Sequence, residues 1–123
     1  MTNIQIDLQT VFERLKAILQ EYTPPLVVHI NQQGNYSLDA PKPSKKRAEL
    51  FFGAVTTKKG YVGYYLMPVY CYPELLEDLP LSLWKRKQGK SCFNFKKIDE
   101  ELFAQLSELT RQSFEKYKEE GMI

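Results

Sequence analysis

The stretch LWKRKQGKSCFNF, residues 83–95, concentrates residue types that could do chemistry. Its Gly-Lys-Ser triplet matches the end of the phosphate-binding P-loop pattern, which would span residues 84–91. That pattern begins with a glycine that lets the backbone curl round a phosphate, and Trp84 stands at this position. A helix must follow the loop, whereas the alternation in residues 91–95 is typical of a strand. These two departures exclude a P-loop.

A weaker electrostatic role is compatible with the same stretch. Four cations fall between residues 85 and 90, and three aromatic residues stand close to them in the chain, namely Trp84, Phe93 and Phe95. Cations that follow phosphates and rings that stack on bases are typical of single-strand nucleic-acid binding. Because Phe93 and Phe95 also alternate as buried strand residues do, we favour a basic turn that delivers an edge strand to the core.

Candidates for nucleophilic catalysis are few. His29 is the only histidine, and its place inside a predicted strand favours a structural or surface role over that of a general base. Cys92 stands two residues after Lys90, whose charge could lower the thiol pKa, and pairing of Cys92 with His29 across the sheet is left open. The sequence contains no catalytic constellation, so we expect a protein without enzymatic activity.

The sequence also lacks a signature for a metal or another cofactor. Cys71 and Cys92 do not have the short spacing of metal or redox motifs, and no cluster of histidine and cysteine exists. Four glutamates on one face of the predicted last helix could hold a hard cation only weakly: Glu101, Glu108, Glu115 and Glu119. We interpret them as a solvated helix face and predict no cofactor.

Length and composition indicate one globular domain spanning residues 1–123, with 43% hydrophobic residues. No apolar run approaches the roughly 20 residues of a membrane span, and the first residues lack the pattern of a signal peptide. We therefore expect a cytoplasmic protein with reduced thiols. The net charge is +2, but residues 42–97 carry twelve cations and four anions, between two acidic segments. Such asymmetry fits either an anionic partner or basic loops that neutralise acidic helices.

Periodicity predicts two long amphipathic helices, one at residues 8–22 with an N-cap at Asp7 and one at residues 99–119 with an N-cap at Asp99. Alternation and turn residues predict five strands, one short helix and a basic loop: strands at residues 26–30, 35–38, 48–57, 61–67 and 91–95, the helix at 73–79 and the loop at 40–47. Each long helix needs an apolar surface, which one face of a sheet offers. We predict a two-layer α+β fold, a five-stranded and mainly antiparallel sheet with two long helices on one face.

Four segments together resemble the YdhG-like family of small bacterial domains of unknown function: AELFFGAV, YVGYYLMPVY, LPLSLWKRKQGKSCFNFKK and DEELFAQL. The resemblance covers residues 45–120 well and the first 40 residues more loosely. It implies a compact α+β domain comparable to the frataxin fold, and some relatives are labelled iron chaperones. Frataxin-type iron binding uses a dense acidic first helix, whereas the first helix here has only Asp7, Glu13 and Glu21. No iron-binding residue therefore transfers by position.

The sheet face opposite the helices is the predicted site of function. Rings there would stay uncovered, which is typical of a binding site. We expect a non-catalytic binding module for an unknown small molecule or protein, in a monomer or weak homodimer without membrane association, that uses Tyr61, Tyr65, Trp84, Lys90 and Asn94. The alternatives are frataxin-like iron handling and, second, weak binding of an anion, with nucleic acid a less favoured partner.

Overall fold

The computed structural model describes residues 3–41 and 51–123, with side chains from residue 8 onward. Its elements follow one another as α1 (Asn3–Gln20), β1 (Val27–Gln32), β2 (Asn35–Asp39), β3 (Phe51–Lys58), β4 (Tyr61–Leu66), α2 (Met67–Cys71), a 3-10 turn (Pro73–Leu76), α3 (Leu81–Trp84), β5 (Lys87–Gln88), β6 (Cys92–Phe95) and α4 (Glu100–Glu119). The predicted basic loop lies mostly outside the described residues, as does the start of the predicted third strand.

The described strands form one open antiparallel sheet in the order β1-β2-β3-β4-β6-β5. The predicted α+β class is confirmed, but the sheet has six strands instead of five. The added strand is β5, whose Lys87 and Gln88 pair with Phe93 and Cys92 of β6. The stretch at residues 83–95 therefore forms a hairpin of its own. β5 is the edge of the sheet, and β6, predicted as the edge strand, lies between β4 and β5.

The core lies between one face of the sheet and the two long helices. Strand residues on this face are almost fully buried: Tyr36, Leu38, Val55, Val62, Tyr64, Leu66, Phe93 and Phe95. From α1, the Leu19 side chain approaches Gly53, which pairs with Leu66. From α4, the Thr110 hydroxyl lies 2.7 Å from that of Tyr64. Since Tyr64 and Leu66 share a face, both long helices cover the same side, as predicted.

Two hydroxyl bonds join α4 to the strands inside the core. Thr110 donates to the Leu106 carbonyl at 2.8 Å, so the Tyr64 hydroxyl must donate to Thr110. Burial raises the pKa of Tyr64, which keeps this phenol protonated. The Tyr117 hydroxyl donates to the Phe51 carbonyl at 2.9 Å. A buried polar group is tolerated when it is bonded, so these tyrosines fit the core.

The helix ends show what local sequence determines. α4 begins as predicted, because Asp99 accepts a hydrogen bond from the Leu102 backbone N–H at 3.1 Å and so satisfies one free donor of the first turn. α1 begins at Asn3, before the predicted N-cap at Asp7, and ends at Gln20. The start predicted at Asp7 is therefore wrong, although the apolar face of the helix is right.

The first four predicted strands form two hairpins. β1 and β2 are joined by Gln33 and Gly34, and β3 and β4 by Lys59 and Gly60. Each glycine has a positive φ, 75° at Gly34 and 90° at Gly60, which these short turns require. The second turn has two residues instead of the predicted three, because Lys58 pairs with Tyr61.

An irregularity in β3 turns two successive residues toward the helices. Leu38 pairs with Gly53 and Asp39 with Phe51, so Phe52 is an extra residue in the ladder. The Phe52 ring meets that of Tyr117 edge to face at 5.5 Å. Strict alternation would put Phe52 and Gly53 on different faces of the sheet. The bulge instead puts both on the face that packs against the helices.

The segment between β4 and β5 differs most from prediction. Of residues 73–79, predicted as a helix, only Pro73–Leu76 form a regular element, a 3-10 turn, and two short helices, α2 and α3, were not predicted. Pro68 lies in the first turn of α2, where its missing N–H costs little. Val69 and Leu83 are fully buried and anchor these helices to the core.

Candidate binding site on the sheet face

The face of β4 and β6 that points away from the two long helices brings together a small polar and aromatic group. Residues that pair across antiparallel strands share a face, and Tyr65 pairs with Cys92 while Gly63 pairs with Asn94. Tyr61 lies on this face as well, two residues before Gly63. Three of the five predicted site residues, Tyr61, Tyr65 and Asn94, are therefore on one surface.

Gly63 determines where the Tyr65 ring lies. A Cβ atom at Gly63 would be 3.2 Å from both Cε1 and the hydroxyl oxygen of Tyr65, and 3.4 Å from Sγ of Cys92. The ring consequently lies along its own strand over the glycine, and the phenol hydroxyl approaches the thiol. The Cys92 thiol in turn donates to Oδ1 of Asn94 at 3.2 Å. We call Gly63, Tyr65, Cys92 and Asn94 the Tyr65 cluster.

Both acidic groups of the Tyr65 cluster hold their protons tightly. Burial, and then the neighbouring Cys92, raise the pKa of Tyr65 to about 12. Burial also raises the pKa of Cys92, although the hydrogen bond with Tyr65 and the charge of Lys58 act in the opposite direction. The phenol and the thiol are therefore neutral hydrogen-bonding groups at physiological pH.

The structure does not support activation of the Cys92 thiol by Lys90 or its pairing with His29. Lys90, expected to lower its thiol pKa, places Nζ 5.7 Å from the centre of the Tyr70 ring. His29 lies on β1, four strand spacings from β6, which is about 19 Å. Its Nδ1 is 3.6 Å from the Asp39 carboxylate instead. A Cys92–His29 pair is therefore excluded.

Trp84 and Lys90 are not part of the Tyr65 cluster. Trp84 belongs to α3, is 47% exposed and has Nζ of Lys87 5.3 Å from its ring centre. Lys87 pairs with Phe93, a residue on the helix side of the sheet. Lys90 lies in the turn between β5 and β6, beside Tyr70. Strand alternation could not place these two residues, because Trp84 belongs to a short helix and Lys90 to a turn.

The rings on this face are less exposed than expected. Tyr61 and Tyr65 are half-buried, and Ser37 and Ala54 on the same face are almost fully buried. The most exposed large apolar side chains lie on other elements: Val27, Val28, Tyr70, Leu81 and Trp84. This face thus carries a compact polar and aromatic surface, and Cys92, which is not among the five predicted site residues, lies in its middle. The two-residue spacing of Cys92 and Asn94 was the signal that could have included it.

No metal site is formed by the part of the chain that the structure describes, since it contains no suitable group of three or more histidine, cysteine, aspartate or glutamate side chains. In the glutamate row of α4, Arg111 contacts Glu108 at 2.6 Å and lowers the pKa of that carboxyl to about 2. Iron handling therefore stays a prediction without a described ligand set. Within the same residues, no helix has the length and hydrophobicity to cross a membrane.

The described residues form an α+β fold whose open antiparallel sheet packs against two long helices on one face and carries the Tyr65 cluster on the other. Comparisons with protein-family models, curated proteins and solved structures find no match. The resemblance to YdhG-like domains stays a prediction.

Proposed function

We propose that the protein is a non-catalytic binding module whose ligand lies on the Tyr65 cluster. The observation that supports this function is the chain of contacts from the Tyr65 phenol through the Cys92 thiol to the Asn94 amide, on the face away from the described helices. Polar groups that converge on a partly buried surface are typical of ligand sites.

The pKa directions favour binding over catalysis. A cysteine nucleophile reacts as its thiolate, and a low pKa or an adjacent base must supply that form. The pKa of Cys92 is instead raised by burial, and so is that of Tyr65. The S–H group already donates to Asn94 Oδ1, so the Tyr65 hydroxyl and the Asn94 amide N–H groups are the neutral hydrogen-bonding groups that remain for a ligand.

The surroundings of the cluster indicate the chemistry of the ligand. Tyr61 lies on the same face beside Lys58, its cross-strand partner, whose charge acts on Cys92. Two rings, neutral donors and one nearby cation suit a small planar molecule with acceptor atoms, neutral or weakly anionic. Nicotinamide and benzoate are suitable neutral and anionic probes.

Nuclear magnetic resonance of 15N-labelled protein tests this proposal. On addition of either probe, the backbone amides of Gly63, Tyr65, Cys92 and Asn94 should shift most. Tyr65→Phe keeps the ring and removes the hydroxyl, so it should weaken binding by about five- to tenfold, equivalent to one hydrogen bond. Tyr70→Phe, at an exposed ring on α2, is the matched control and should leave binding unchanged.

Two outcomes would contradict the proposal. Shifts spread over other elements would place the ligand elsewhere. The absence of shifts with both probes at millimolar concentration would show that small planar molecules of this kind do not bind.

The proposal includes a cytoplasmic setting and a monomer or weak homodimer. The two cysteines are not joined by a disulfide, which suits a reducing compartment. Size-exclusion chromatography with light scattering checks the oligomeric state, and a stable larger assembly would contradict it.

A further inference from the structure

A second surface, away from the Tyr65 cluster, forms a cleft of about 620 Å³ between the segment that follows α3 and the segment that joins β6 to α4. Leu102, half-buried, supplies apolar contact area in it, and Phe95 lies behind its wall. Four cations line it in two adjacent pairs, Lys85 with Arg86 and Lys96 with Lys97. We call this site the basic cleft.

Buried neighbours hold the two cation pairs at the cleft. Leu83, fully buried, fixes α3 two residues before the first pair, and Phe95, 2% exposed, fixes β6 just before the second. The Arg86 carbonyl accepts a hydrogen bond from the Asn94 backbone N–H at 2.9 Å, which joins the two segments. The backbone positions of the four cations therefore follow from the core and not from chance positions of flexible loops.

The four cations of the basic cleft take part in no ion pair within residues 3–41 and 51–123. Three other cations do have carboxylate partners, namely Arg14, Arg111 and Lys116. Two acids also line the cleft, Asp99 and Glu101. Asp99 already accepts the N-cap hydrogen bond of α4, so its charge is partly compensated and that amide is not open to a ligand. Four cations against two acids leave the cleft with a net positive charge, which no other described side chain neutralises by an ion pair.

We propose that the basic cleft binds a phosphorylated small molecule. Its volume falls within the range of roughly 300–1,000 Å³ that is typical of small-molecule sites. The cations suit a phosphate group, while the carboxylate of Glu101 and the hydroxyl of Ser82 can accept hydrogen bonds from hydroxyls on the rest of the ligand. The two acids favour a small molecule over nucleic acid, because a phosphate backbone is held mainly by cations and acids in the same cleft weaken that attraction.

Isothermal titration calorimetry with ribose 5-phosphate, inorganic phosphate and ribose tests the proposal. Ribose 5-phosphate should bind most tightly, inorganic phosphate more weakly, and ribose not measurably. Arg86→Gln and Lys96→Gln should each weaken ribose 5-phosphate binding by about tenfold, as expected for the loss of a charge-assisted hydrogen bond. Lys118→Gln removes the same charge from an exposed position near the end of α4 and should change affinity less than twofold, about the effect of a remote screened charge.

Thermal melts that match the parent protein establish that each variant is folded, and the two cleft variants provide independent readings. Absence of binding for both phosphate probes at millimolar concentration would overturn the proposal, and so would equal losses in the cleft and Lys118 variants. A single-stranded oligonucleotide that binds more tightly than ribose 5-phosphate would assign the cleft to nucleic acid instead. Tyr65→Phe should leave ribose 5-phosphate binding unchanged, so this site and the Tyr65 cluster are tested separately.

Discussion

Replacement of Gly53 by alanine should destabilise the protein because the space for a side chain is already occupied. A Cβ atom at this position would lie 2.8 Å from the backbone oxygen of Tyr65 and 3.4 Å from methyl carbons of Leu19 and Leu66. The oxygen belongs to the paired strand, and both leucines are fully buried. The overlap can be relieved only by a shift of β3 against β4.

The expected size follows from two opposing effects. Alanine in an unstrained strand stabilises a protein by about 0.5–1 kcal/mol relative to glycine. Overpacking of a core costs about 1–3 kcal/mol, and we expect the upper end because the closest atom is backbone. The free energy of unfolding should fall by about 2 kcal/mol. For 123 residues, that corresponds to a loss of about 8 °C in Tm.

Urea unfolding followed by circular dichroism measures the change, with Gly63→Ala as the matched control. A Cβ atom at Gly63 meets the ring of Tyr65 at 3.2 Å, and this ring can swing toward solvent. The control should therefore stay within about 0.5 kcal/mol of the parent protein. A Gly53→Ala protein as stable as its parent, or equal losses in both variants, would refute the packing argument.

Three further changes test single interactions. Tyr64→Phe should lower the free energy of unfolding by about 1 kcal/mol, because it removes one buried hydrogen bond while Thr110 keeps its bond to the α4 backbone; unchanged stability in urea would contradict this role. Asp99→Ala should lower the free energy of unfolding by about 1 kcal/mol through loss of the N-cap. Asp99→Asn, which can still accept the N-cap hydrogen bond, should retain most of the parent stability in the same assay. In a Cys71→Ser background, Cys92 should react with iodoacetamide more slowly than glutathione at neutral pH, and its rate should still be rising above pH 9.0, because burial raises its pKa from that ordinary value; faster reaction at neutral pH would refute the pKa argument.

The long elements were predictable because their signals are local. The start of α4 depends on the carboxylate of Asp99, and the hairpin turns depend on Gly34 and Gly60. The short helices and β5 were not predicted, because five residues of α2 or two of β5 contain too few positions for a period. Their positions depend on tertiary anchors such as Val69 and Leu83.

The candidate site was predictable only for strand residues, because alternation along a strand decides which face of the sheet each side chain is on. Tyr61, Tyr65 and Asn94 stand in regular strands, and the structure places them on one surface. Trp84 and Lys90 stand in connections whose path depends on how the core packs. The basic cleft was also hidden from sequence patterns, because its two cation pairs are about ten residues apart.

The hydroxyl bonds between α4 and the strands fix the alignment of helix and sheet. Sliding α4 by one turn would carry Thr110 away from Tyr64 and leave a buried phenol without an acceptor, at a cost of about 1–3 kcal/mol. Tyr65 is the next residue of the same strand and points to the other side. The interior thus sets the backbone position of the outer surface, so a ligand would meet strands that are held in place from the opposite side.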